Sequence, residues 1–202
     1  PKLKVFYYSS ISTMLAPSSL QKLIAFFGSA CFMGVLLVKN LLPILLSEKY
    51  ASTKYILPFL LLYPVMSMII STTVSGIDFA RKTQFTLYFS IAVTIVNFGL
   101  NYALVPSFGA VGAAIATGVS HVFYFWIRTL YSRKLWFDFD LKHLIVTSIL
   151  LSIAATINSI PEINDLYVYI GDIIVIILGI MLYAPFLIKS FSSFWNNRKG
   201  VE

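Results

Sequence analysis

The stretch Asn97-Phe98-Gly99-Leu100-Asn101-Tyr102-Ala103-Leu104-Val105-Pro106-Ser107-Phe108-Gly109-Ala110-Val111-Gly112-Ala113-Ala114-Ile115-Ala116-Thr117 decides the fold. It reads as the end of one apolar helix, a tight turn at Pro106 and Gly109, and a second helix built almost wholly of small residues. The run from Thr83 to Ile127 around it holds no Asp, Glu, Lys or Arg. About 20 apolar residues, rising about 1.5 Å each, cross the roughly 30 Å of bilayer hydrocarbon. The run is too long for one passage and predicts a helical hairpin inside a membrane.

The flanking sequence has the same character. Apolar residues make up 58% of the 202 and charged ones 11%, with a mean hydropathy of +0.85. That leaves too little polar surface for a water-soluble globule. The chain begins Pro1-Lys2-Leu3-Lys4, without Met and without a basic start, short apolar core and cleavage site. It is therefore expected to be a piece of a longer protein. Cys31 is the only cysteine, so the chain can form no internal disulfide and no Cys-based metal site; the residue suits packing or lipid contact. The net charge of +7 is carried in short connecting segments, which fits membrane topology better than nucleic-acid binding.

Six spans are predicted, at about 20–46, 55–77, 84–105, 109–128, 143–160 and 168–188, making the fold all-α and integral to the membrane. A juxtamembrane segment, 1–19, precedes them and a basic tail, 189–202, follows. Six crossings return both ends to one side, and the basic residues choose that side. Lys2, Lys4, Lys22, Arg81, Lys82, Arg128, Arg133, Lys134, Lys142, Lys189, Arg198 and Lys199 gather on one face, against Lys49 and Lys54 on the other. Both ends are thus expected in the cytoplasm. Trp126, Trp136 and Trp195 near span ends fit an aromatic belt, and the short outer loops with Glu48, Glu162 and Asp165 leave no room for a folded outer domain.

Lys39, Asn40, Arg81, Lys82, Asn97 and Asn101 are the candidates for a substrate path. An ionised lysine deep in the bilayer costs about 2.5–3.5 kcal/mol on insertion scales unless it faces water or reaches the interface. Pro43 cannot donate to the carbonyl of Lys39, so the helix is expected to open beside Lys39 and Asn40. Lys39 then either lines an anion's path or snorkels to the outer interface. Asn97 and Asn101, at i and i+4, share a helix face; they are expected to bond the following small-residue helix or to touch substrate. Arg81 and Lys82 lie in a short inner loop, where they set topology, attract anionic lipid or meet an anionic head group.

Gly109, Gly112, Ala113, Ala116, Thr117 and Gly118 form a packing stripe, because lipid gives no hydrophobic drive for helix association and small residues let backbones touch. His121 reads as a packing residue or a proton carrier, and Asp172 as shallow enough to reach the outer interface. Pro58, Pro64 and Pro185 supply bending points. No Gly-rich phosphate loop, zinc-binding His pair or nucleophile elbow is present. No catalytic residue, metal or cofactor is assigned, and the chain is not read as an enzyme.

The hairpin positions Asn97, Leu100, Asn101, Leu104, Pro106, Gly109, Gly112, Ala113, Ala114, Ala116 and Thr117 resemble the Asn-rich helix end, Pro-x-x-Gly turn and Gly-Ala-Ala-x-Ala-Thr helix of a known family. These are the polysaccharide-biosynthesis flippases of the multidrug/oligosaccharidyl-lipid/polysaccharide exporter superfamily. The similarity extends over about residues 1–130, with Glu48-Lys49-Tyr50-Ala51 as an outer loop. The chain departs from the family in lacking a glycine before Tyr50 and in placing Lys39-Asn40 where small or proline residues are usual.

The resemblance implies the C-terminal lobe, plus two extra helices, of a two-lobe exporter in a bacterial inner membrane. It implies a flippase that carries lipid-linked oligosaccharide to the outer leaflet by alternating access, for O-antigen, capsule or exopolysaccharide. The implied partners are a polyprenyl-diphosphate-linked oligosaccharide, membrane lipids, the missing N-terminal lobe and other glycan-assembly proteins, with no nucleic acid. A cation-coupled drug exporter of the same fold would want an acidic site in the membrane, and a glycan-assembly enzyme would want catalytic polar groups in a large outer loop. A non-transporting scaffold is the remaining alternative.

Overall fold

A computed structural model describes residues 17–39, 52–73, 77, 78, 80–135 and 141–199. Its main helices are α1 (Pro17–Val38), α2 (Thr53–Thr73), α3 (Gln84–Leu135), α4 (Lys142–Ser159) and α5 (Asp165–Lys199). All five contain stretches long and apolar enough to cross a membrane, so the chain is a multi-pass membrane protein. Asn40, Pro43, Trp136 and the 48–51 loop lie outside the described residues, as does most of the 1–19 segment.

Pro17 opens α1 at the position where its fixed φ suits a helix and its missing N–H is not needed. Lys39 continues α1 as a tighter turn. In α2 the buried residues Phe59, Leu62, Met66, Ile69 and Thr73 recur every three or four positions, one face of a helix turned to its neighbours. Pro58 and Pro64 lie inside it without ending it. α5 runs on to Lys199, so the helix extends well into the expected 189–202 tail. No glycine or proline follows Pro185 until Gly200, and nothing local stops the helix at the edge of its apolar part, Asp165–Lys189.

α3 has 52 residues, and at about 1.5 Å per residue a straight helix of that length would run roughly 78 Å, more than twice the hydrocarbon thickness. It breaks at Gly109, whose φ of 55° and ψ of −131° are non-helical. The two arms then fold together. Phe85 meets Tyr131 with ring centroids 4.7 Å apart, Ser90 Oγ lies 3.4 Å from the Tyr124 hydroxyl, and a Cβ on Gly112 would fall 2.5 Å from the Leu104 carbonyl oxygen. Pairing of 85 with 131, 90 with 124 and 104 with 112 makes the arms antiparallel.

The space around Gly109 is open, so only its backbone conformation demands glycine there. Gly109→Ala is expected to cost about 1–3 kcal/mol from that strain alone, read as a lower thermal midpoint of the purified protein with an unchanged far-UV spectrum.

The hairpin packs chiefly on α2, which also touches α1 and α4, while α5 lies against α1 and α4. Thr73 Oγ1 is 3.3 Å from Thr129 Oγ1, and Ser132 Oγ donates to the Thr73 carbonyl. Phe32, Leu36, Leu62, Met66, Phe125 and Leu151 belong to one shared apolar core. Tyr183 is buried in it with its hydroxyl 2.7 Å from Thr147 Oγ1.

Candidate functional site

The most heavily buried charges come together where α1 ends, α4 ends and α5 begins. Lys39 is 3% exposed, Asn158 1% and Asp172 1%. Lys39 Nζ donates to the Asn158 carbonyl at 3.1 Å. Asn158 Nδ2 donates in turn to Asp172 Oδ1 at 2.6 Å and to the Ala154 carbonyl at 2.9 Å. Asn158 Oδ1 and Asp172 Oδ2 are buried with no partner among the described residues. Asp172 and Asp165 attract the lysine charge, and Lys54 opposes it.

This arrangement corrects the snorkelling alternative for Lys39, whose ammonium turns inward to a backbone carbonyl. Asp172 likewise turns into the bundle, with its Oδ1 on Asn158. Ionising a carboxyl group that accepts from a single amide at this depth in the bundle calls for the nearby ammonium, because an isolated buried charge is far more costly than a compensated one. Asn158 is not among the sequence candidates; its signal is an amide inside an apolar span, shortly before the chain turns back towards Asp172.

Asn97 and Asn101 do not bond across the hairpin. Asn101 Nδ2 donates to the Asn97 carbonyl at 2.9 Å and to Asn97 Oδ1 at 3.0 Å, so the pair satisfies itself along one arm. Both remain half-buried. Members of the packing stripe have different neighbours. Gly109 makes the turn, Gly112 faces Leu104 of the first arm, and Gly118 faces Phe59 of α2, where a Cβ would lie 2.7 Å from the carbonyl oxygen. Ala114 and Ala116 are buried, Ala113 is half-buried, and Thr117 Oγ1 donates to the Ala113 carbonyl at 2.9 Å. His121 donates from Nδ1 to the Thr117 carbonyl at 2.8 Å and packs edge-on against Tyr63.

Arg81 and Lys82 lie at the opposite end of the bundle from Lys39, both exposed. The Lys82 N–H donates to the Ile77 carbonyl at 3.1 Å and the Arg81 N–H to the Asp78 carbonyl at 3.0 Å. That pair of bonds is a Schellman closure, which wants a left-handed residue at its turn. Arg81 occupies it with φ 53°, a conformation that costs a side-chain-bearing residue roughly 1 kcal/mol or more. Arg81→Gly is therefore expected to leave thermal stability equal or slightly higher, and Arg81→Val to lower it. The path candidates in the described residues thus do not form one site: Lys39 joins a buried cluster, the asparagines join each other, and the two inner cations flank the start of α3.

Comparison with known protein families, curated proteins and solved structures gave no match.

Proposed function

We propose that the chain is the C-terminal lobe of a flippase for lipid-linked oligosaccharide, crossing the membrane six times with both ends in the cytoplasm. What supports this reading is the hairpin. Four of the positions that carry the family resemblance have a distinct structural part here: Gly109 the turn, Gly112 the contact between arms, Asn97 and Asn101 a polar step on an otherwise apolar helix. Counting the arms of α3 separately gives the sixth crossing. The Lys39–Asn158–Asp172 cluster adds the general mark of membrane transport, since ionisable groups inside a bilayer are costly and are kept for transport or coupling.

The test is the fate of the lipid-linked precursor. Cells lacking the full-length protein are expected to stop making surface polymer and to accumulate lipid-linked units facing the cytoplasm. Units facing outwards and unpolymerised would instead identify a glycan-assembly enzyme. A second reading, a cation-coupled drug exporter of the same architecture, gains from the burial of Asp172, which supplies the acidic membrane site such an exporter would want. Drug efflux that depends on Asp172 with unchanged surface polymer would establish it.

A further inference from the structure

We propose that Arg128, Tyr124 and Ser90 form a binding site for the phosphate of a lipid-linked head group, at the mouth of a polar seam between the arms of α3. The lipid-linked part of this assignment rests on the flippase reading; the phosphate chemistry rests on the residues. Arg128 Nη1 donates to the Tyr124 hydroxyl at 2.8 Å, and its guanidinium carbon stands 5.0 Å from the centre of the Tyr124 ring. The Tyr124 hydroxyl is also 3.4 Å from Ser90 Oγ, so the two arms meet through a tyrosine that holds the guanidinium in place.

What Arg128 lacks, among the described residues, is an anion. Its Nε is buried and has no hydrogen-bond partner among the described residues. Of the described carboxylates, Glu162, Asp165 and Asp172 belong to the other end of the bundle and Asp78 is exposed. A guanidinium offers five donors in a planar fork matched to phosphate oxygens, and here only one donor is used among the described residues. Phe85 and Phe89 close on Tyr131 just below, at 4.7 and 5.2 Å, and Arg128 itself is half-buried. The core-facing side of the same arm is taken by Phe125, Thr129 and Ser132.

From Arg128 a polar seam runs along the arms. With Ser90 level with Tyr124, antiparallel arms place Thr94 opposite His121 and Asn97 opposite Thr117. These residues are exposed or half-buried, unlike the sealed cluster at Lys39. Their hydroxyls and ring nitrogen are tied to their own helix, and each hydroxyl keeps acceptor capacity for a hydroxylated head group. In the proposed orientation Arg128 stands at the cytoplasmic end, where a phosphate would be met first.

The experiment uses the full-length protein in nanodiscs, with polyprenyl diphosphate, polyprenol and phosphatidylglycerol as probes. Wild type is expected to bind the diphosphate about tenfold or more tightly than polyprenol, as charge-assisted bidentate contacts require. Arg128→Gln should erase that preference with polyprenol binding unchanged, and Arg128→Lys should restore only part of it. Equal binding of the diphosphate by Arg128→Gln and wild type overturns the site, as does full competition by phosphatidylglycerol at equal concentration, which would assign Arg128 to bulk lipid. Should Arg128→Gln not fold, Tyr124→Phe carries the test: it keeps the ring and removes the hydroxyl that orients the guanidinium, and undiminished diphosphate binding overturns the proposal. If Arg128-dependent binding persists in a protein that translocates no lipid-linked glycan, the phosphate site stands and the flippase reading falls.

Discussion

Lys39→Met is expected to destabilise the protein by about 1–3 kcal/mol, because it removes the donor to the Asn158 carbonyl and, with it, the positive charge that Asn158 links to the buried Asp172. The methionine keeps most of the side-chain volume, so the loss measures charge rather than a cavity. Asp172→Leu should do comparable damage from the other side, stranding the ammonium. The double variant is expected to recover to within about 1 kcal/mol of wild type, since replacing a whole buried pair by apolar residues is often neutral. Thermal or denaturant unfolding of the four proteins closes the cycle. Additive losses would show that Lys39 and Asp172 do not sense each other and that Asn158 joins them only in geometry. A stable double variant that has lost transport would separate the cluster's structural part from its functional one.

Gly118→Val is expected to produce the second large effect. A Cβ there would lie 2.7 Å from the Phe59 carbonyl oxygen and 2.9 Å from Phe59 Cδ1; the first of these is backbone and cannot rotate away. Even Gly118→Ala should cost about 1–3 kcal/mol from overpacking, and valine more. Gly112→Ala, whose Cβ would meet the Leu104 carbonyl oxygen at 2.5 Å, should loosen the hairpin in the same way. Gly34, with nothing within 4 Å, is the control, and Gly34→Ala is expected to be tolerated. Unfolding in detergent or bicelles measures all of these variants. Equal tolerance at Gly34 and Gly118 would remove the stripe from the packing of the hairpin on α2.

Much of the fold is readable from sequence because hydrocarbon is a simple solvent. Helix length and apolarity are fixed by bilayer thickness, so α1, α2 and α4 start within a few residues of where hydropathy places them. The Pro106-to-Gly109 turn is legible from residue type, and the structure puts the break at the glycine. The site is less legible, since its parts depend on pairings between distant positions. Lys39 bonds a residue 119 positions away, and nothing local to either distinguishes a lysine that reaches the interface from one that turns inward. Asn97 and Asn101 share one face as their spacing requires, yet spacing does not say whether an amide bonds across an interface or down its own helix. In the sequence analysis Arg128 is visible only as a charge that sets topology; Tyr124 lies one helical turn before it, but the orphan nitrogen and the contact of Tyr124 with Ser90 emerge only in three dimensions.

The docking of the hairpin has a mechanical consequence. Because it rests chiefly on α2, while α1, α4 and α5 gather around the buried charges, α2 is the principal member common to both halves of the lobe. Pro58 and Pro64 lie within it, and each lacks the N–H that would close a helical hydrogen bond, so the shared member is softest between the two loads. A tilt of the hairpin can then flex α2 like a leaf spring without prying apart Lys39, Asn158 and Asp172, and the polar seam can widen or narrow while the opposite end of the bundle stays clamped.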